Sequence, residues 1–176
     1  MVPRGRELDA LSVSGDEIGW LHYNARHYEE AIQEYRGVLA VRPDEANALW
    51  SIGIVFMARH QPEQSIPVLE KAVAVSNGSP GVMGSLVAAY AQAGRRADAL
   101  RLLAELKRER PGDAGAFVHA YLGLADYDQT FSWLEQAYKD KSNIMQHLKV
   151  DPMFDPLRSD PRFQDLLRRV GLDQER

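Results

Sequence analysis

The sequence predicts an all-α solenoid of about four helix pairs, closed by a C-terminal helical cap. Three observations predict it. Columns of similar residues recur at spacings of 34, 34 and then 31 residues, apolar positions within each unit are spaced by four and three, and turn residues return in the same phase. Repetition at such a period marks a chain whose units each bury an apolar face against the next.

The columns fix the elements in order. A first-helix column runs Ile18, Ile52, Leu86 and Phe117, followed four residues on by His22, Phe56, Tyr90 and Tyr121. A column of small residues, Ala31, Ser65, Ala99 and Thr130, opens each second helix. Four residues later come Tyr35, Leu69, Leu103 and Leu134, and three further Val38, Ala72, Leu106 and Ala137. Steps of four and three place these side chains on one face of a helix. The small column, with Gly19 and Gly53, marks where the two helices of a pair approach closely.

Boundaries follow the same phase. Ser14 and Glu17 form an S-x-x-E capping box. Pro43-Asp44 and Ser79-Pro80 open the second and third pairs, with Ser79 suited to cap a helix and Pro80 to its first turn. Gly94 suits the left-handed conformation that ends a helix, and Pro43, Asn77 and Pro111 end the second helices. The spacing predicts helices over 15–25 and 28–41, 45–58 and 62–76, 80–93 and 96–109, and 113–123 and 127–140. The fourth unit is three residues short and has Ala125 where a glycine is expected, so its first helix is expected to be truncated or tilted.

The segments Tyr28-Glu29-Glu30-Ala31-Ile32 and Gly94-Arg95-Arg96-Ala97-Asp98-Ala99-Leu100 resemble the G-x-Y-x-x-A and G-R-x-x-x-A-L cores of the tetratricopeptide-repeat (TPR) family. The resemblance implies a right-handed superhelix whose concave surface is lined mainly by the first helix of each pair. Residues 131–138 and 148–163 resemble the C-terminal TPR regions of multidomain bacterial regulators, where such an array commonly follows a winged-helix, Ser/Thr kinase or nucleotide cyclase domain. This implies a bacterial origin and a sensory or interaction role.

Three segments are expected. Residues 1–13 read as an N-terminal segment, either the remnant of a preceding repeat or a short cap, because Glu7-Leu8-Asp9-Ala10 is in phase with Ala40-Val41-Arg42-Pro43. Residues 14–141 form the array, and 142–176 a capping extension rich in large apolar side chains. Within that extension Asp151-Pro152, Asp155-Pro156 and Asp160-Pro161 read as caps and first turns of short helices, leading to a last helix over 161–170 stopped by Gly171.

Composition narrows the function. The 176 residues are 45% hydrophobic and 26% charged, with a formal net charge of −4, which disfavours nucleic acid or a membrane surface as a direct partner. No cysteine is present, no apolar run approaches the ~20 residues of a membrane span, and the N-terminus lacks an apolar signal core, so the expected location is cytoplasmic. His22, His27, His60, His119 and His147 show no metal-ligand spacing, and His22 falls in a core column. No nucleophile elbow, P-loop or dinucleotide fingerprint occurs, so no catalytic, cofactor or metal site is expected. Arg95, Arg96, Arg101, Lys107, Arg108 and Arg110 alternate with Asp98, Glu105 and Glu109 as a solvated face with i,i+4 pairing.

Projected on the repeat, the concave surface carries Asp16, Trp20, Tyr23, Asn24, Trp50, Ile54, Met57, His119 and Leu122, with Ala88 and Ala91. TPR domains that clamp an acidic C-terminus use Lys, Arg and Asn here, and this chain has Asp16, Trp20 and Trp50 instead. The expected function is a non-catalytic protein-interaction module taking a peptide or helix in a partly aromatic groove. Two alternatives stand beside it: a regulatory segment of a larger bacterial regulator acting through intramolecular contacts, and a homo-oligomeric scaffold.

Overall fold

The computed structural model describes residues 15–173. Nine α-helices and two short 3-10 helices lie among them: α1 (Gly15–Asn24), α2 (Tyr28–Val41), α3 (Ala46–Ala58), α4 (Pro62–Val75), α5 (Pro80–Gln92), α6 (Arg96–Glu109), α7 (Ala114–Gly123), α8 (Tyr127–Lys139), 3-10 turns at Asn143–Gln146 and Pro152–Leu157, and α9 (Pro161–Arg169). Helices α1 to α8 form four antiparallel pairs. Pair-to-pair contact follows chain order, with α3 on α2, α5 on α4 and α7 on α5.

Each pair is closed by the same turn. Arg26, His60, Gly94 and Ala125 take φ values of 62°, 57°, 74° and 56°, and the following residue donates its N–H back to the carbonyl of His22, Phe56, Tyr90 or Tyr121. This bond is the six-to-one link of a Schellman motif, so the aromatic column also marks the end of each first helix. Only the third unit has glycine at the left-handed position. The other three hold a side chain there at a cost of about 1–2 kcal/mol each.

The small column does what its size suggests. Ala31, Ser65, Ala99 and Thr130 are all fully buried. Ser65 Oγ donates to the carbonyl of Gly53 at 2.8 Å, and a Cβ on Gly53 would overlap the Leu69 side chain. The closest approach lies between α5 and α7, where a Cβ on Gly84 would strike the backbone of Ala116 and one on Gly123 would strike Ala88. α7 has 10 residues against 13 in α3 and α5, as the shortened unit predicts.

Three local expectations need correction or lie out of view. The capping box at Ser14 falls outside the described residues. Ser79 precedes α5 but its side chain makes no capping bond, and the fixed φ of Pro80 starts the helix instead. The caps are aspartates: Asp113 accepts from Ala116 N at 2.9 Å and Asp126 from Gln129 N at 3.1 Å. Along α6 the ion pairs are Arg95–Asp98 and Arg101–Asp98, one turn apart at i,i+3, and Arg108–Glu109 between neighbours, so the pairing is not at i,i+4.

The C-terminal extension has two contacts with the array. Met145, Leu148, Phe154, Leu157, Phe163, Leu166 and Leu167 form one apolar cluster with Ala114, Val118, Phe131, Leu134 and Ala137 of the fourth pair. Arg169 pairs with Glu135 through contacts of 2.6 and 2.8 Å, and Arg162 with Asp128 at 2.8 Å, beside that cluster on α8. The second contact reaches the other end of the array. The Tyr23 hydroxyl of α1 donates to Asp151 Oδ1 at 2.7 Å, and Arg26 makes two 2.8 Å bonds to the Asp155 carboxylate. The superhelix is thereby closed across its concave side.

Candidate functional site

In the repeat phase, two positions of each first helix, three residues apart, project to the concave side. One column is Trp20, Ile54, Ala88 and His119, the other Tyr23, Met57, Ala91 and Leu122. Side chains of Tyr23, Ile54, Met57, Ala88, His119 and Leu122 surround a half-enclosed cavity of about 360 Å³. In the first column the third unit contributes Ala88 between Ile54 and His119, and that small side chain leaves room for the space. The turn over Pro152–Leu157 forms the opposite wall with Pro152, Met153, Asp155 and Pro156.

Four of the projected residues serve elsewhere. Asp16 reaches Arg42 at 4.0 Å, Asn24 Nδ2 donates to the Trp20 carbonyl at 2.8 Å, and the half-buried Trp20 packs on Tyr23 and edge-on to His147, with ring centroids 5.3 and 5.1 Å away. Trp50 stands behind the cavity, and its Nε1 donates to Ser85 Oγ at 2.9 Å. Ser85 Oγ also lies 3.1 Å from the Gly81 carbonyl and 2.8 Å from His119 Nδ1. Ser85 and Tyr28 line the cavity without having been projected there. Ser85 shows no apolar or aromatic signal, and the C-terminal wall is invisible to any pattern within the repeats.

Desolvation pushes the His119 imidazole down to about 4, against a smaller opposing pull from Asp113, so the ring is neutral at physiological pH. Burial pushes the Asp151 carboxyl up, partly offset by the Met153 N–H at 2.9 Å and the Tyr23 hydroxyl. Asp155 goes the other way. Burial acts to raise it, but hydrogen bonds from Arg158 and Arg26 outweigh that and hold it below the usual carboxylate range. Of the three Asp-Pro pairs, Asp151 and Asp160 cap helical turns, whereas Asp155 lies within a 3-10 turn and serves as an ion-pair partner.

Among the described residues no three His, Cys, Asp or Glu side chains gather where a metal could be held, and no helix is long and apolar enough to cross a membrane. The chemistry on offer is a largely apolar concavity with a few neutral polar groups and one carboxylate, Asp155, already paired with Arg26 and Arg158. Its surroundings are periodic: models of the tetratricopeptide repeat match residues 17–80 and 56–121, between them the stretch from α1 to α7.

The chain belongs to the tetratricopeptide-repeat family.

No curated protein matches the sequence. Among solved structures, the chain is similar in fold to YrrB, described as a TPR protein with an unusual peptide-binding site. The identity is 15%, the match covers 91% of this chain and 84% of that one, and the TM-score is 0.53. At that identity the likeness concerns the fold: a TPR superhelix.

Proposed function

We propose that this TPR chain is a non-catalytic protein-interaction module that holds a partner segment at the concave cavity. The observation that carries the reading is the convergence of six first-helix side chains and the C-terminal turn on one apolar space, of the size and lining that ligand sites have. A TPR protein of similar fold, YrrB, is described as binding peptide, which supports the same reading. The usual long open groove is shortened here, because the turn over Pro152–Leu157 stands across it and is tied to Tyr23 and Arg26. The partner segment is therefore short.

Peptides selected from a random library on the full chain provide the test. Leu122→Trp, which fills the cavity from α7, should weaken the selected peptides at least ~10-fold while leaving the helical spectrum intact. Peptides that bind the parent and this variant equally would move the site away from the cavity.

In the finer reading, the array is the regulatory part of a larger bacterial cytoplasmic regulator. It is supported by the resemblance of residues 131–138 and 148–163 to such regions, and the coding sequence upstream of Met1 tests it.

A further inference from the structure

The contacts of Ser85 determine what the cavity can recognise. Ser85 Oγ has one proton and two lone pairs, and three neighbours lie within bonding distance. Trp50 Nε1 can only donate. The Gly81 carbonyl, four residues back on α5, can only accept, and all three contacts are hydrogen bonds at once only if it takes the serine proton, in the manner common for serine within a helix. The third contact, to His119 Nδ1 at 2.8 Å, is then a hydrogen bond only if Nδ1 carries the imidazole proton. That leaves Nε2 as a bare acceptor. It makes no hydrogen bond with any described residue, on a ring that lines the cavity.

Given that the cavity is where a partner binds, we infer that it takes a single aromatic side chain bearing a hydrogen-bond donor, the indole of a tryptophan or the phenol of a tyrosine, with His119 Nε2 accepting that donor. Three features point to this class. The wall is apolar and aromatic, from Tyr23, Ile54, Met57 and Leu122. The nearby charge is already neutralised, since Asp155 is paired with Arg26 and Arg158, so the site offers nothing to an ionic side chain. The volume of about 360 Å³ holds one ring system with room around it, not a run of residues. A purely hydrocarbon ring would fill the space but leave Nε2 without a partner, and an unmet buried acceptor is where discrimination arises.

The test uses the full chain and three probes: N-acetyl-tryptophanamide, N-acetyl-tyrosinamide and N-acetyl-phenylalaninamide. Each is titrated while the NMR signals of Ile54, Met57, His119 and Leu122 are followed. The tryptophan and tyrosine amides should bind about fivefold or more tighter than the phenylalanine amide, the factor of one neutral hydrogen bond of ~1 kcal/mol. In His119→Leu that preference should disappear while weak binding of all three persists. The variant orphans nothing behind the ring, because Ser85 keeps both Trp50 and the Gly81 carbonyl. Equal binding of the three amides to the parent would overturn the inference. If no amide binds but library-selected peptides still do, the inference fails and the interaction site stands. If neither binds, both fall.

Discussion

At the scale of single residues, His119 is the most informative side chain of the concave face. It occupies the column of Trp20, Ile54 and Ala88, and its ring is held by Ser85 in a setting that resists protonation. The sign of the consequence is fixed. A folded-state value near 4 lies below the ordinary 6.5, so the unfolded chain takes up a proton first as the solution is acidified. The stability this group confers is complete above pH 6.5 and is lost as pH falls towards 4, by at most about 3 kcal/mol. Urea midpoints measured between pH 7 and pH 4.5 should fall for the parent and stay flatter for His119→Leu. Parallel curves would show that the ring is not desolvated as described. The carboxylates held low by arginine, Asp98, Asp155, Asp160, Asp165 and Glu135, lose their contribution only at still lower pH, which separates the two effects.

At the scale of elements, the C-terminal extension does two jobs with different chemistry. Its apolar side covers the fourth pair. Seven large side chains from Met145 to Leu167 are buried there, each worth ~1.5–3 kcal/mol before conformational entropy is subtracted. A chain ending at Lys141 would expose Phe131 and Leu134, and it should aggregate or melt more than about 10 °C below the parent. A monomeric truncation with an unchanged melting temperature would show that the extension is not a cap. Its polar side clasps α1, and that contact responds to pH in the opposite sense to His119. Asp151 has a raised folded-state value, so its contribution is full below the unfolded carboxylate value and is lost as pH rises through the folded one. Asp151→Asn retains an acceptor for Tyr23 and removes the charge. Its stability relative to the parent should therefore climb between pH 4 and pH 8, read as the difference in urea midpoints, and a constant difference would refute the burial argument.

At the scale of the whole molecule, the sequence was most legible where the physics is local. Repeating columns and turn residues located all eight array helices to within about two residues, because a face that must meet its neighbour at fixed spacing leaves the same imprint in every unit. Two things escaped. Arg26 and His60 sit at the left-handed turn position without announcing it, and Ala125 holds it where the spacing expects glycine, since the Schellman bonds and packing of each pair keep them there whatever the side chain. The cavity was legible only in part. Tyr23, Ile54, Met57, His119 and Leu122 were placed on the concave face by phase alone, whereas Trp20 is taken up by His147 and Trp50, behind the cavity, by Ser85. The far wall depends on residues 128 and 129 positions from their partners, a separation no repeat pattern encodes.

That clasp between Tyr23 and Asp151 also changes what kind of object the array is mechanically. A stack of repeats in which each unit touches only its neighbours behaves as a coil spring. It lengthens under small tension by opening its pitch, and it frays from its ends. Joining the first helix to the chain beyond the last pair turns the spring into a buckled loop. A pull applied across the array loads the Tyr23–Asp151 and Arg26–Asp155 bonds before any helix pair separates, so extension begins with a discrete yield and not a gradual slackening. The same buckle cannot fasten until residue 151 has been synthesised. Every nascent chain therefore passes through a stage in which its repeats have been made but the buckle is not yet closed.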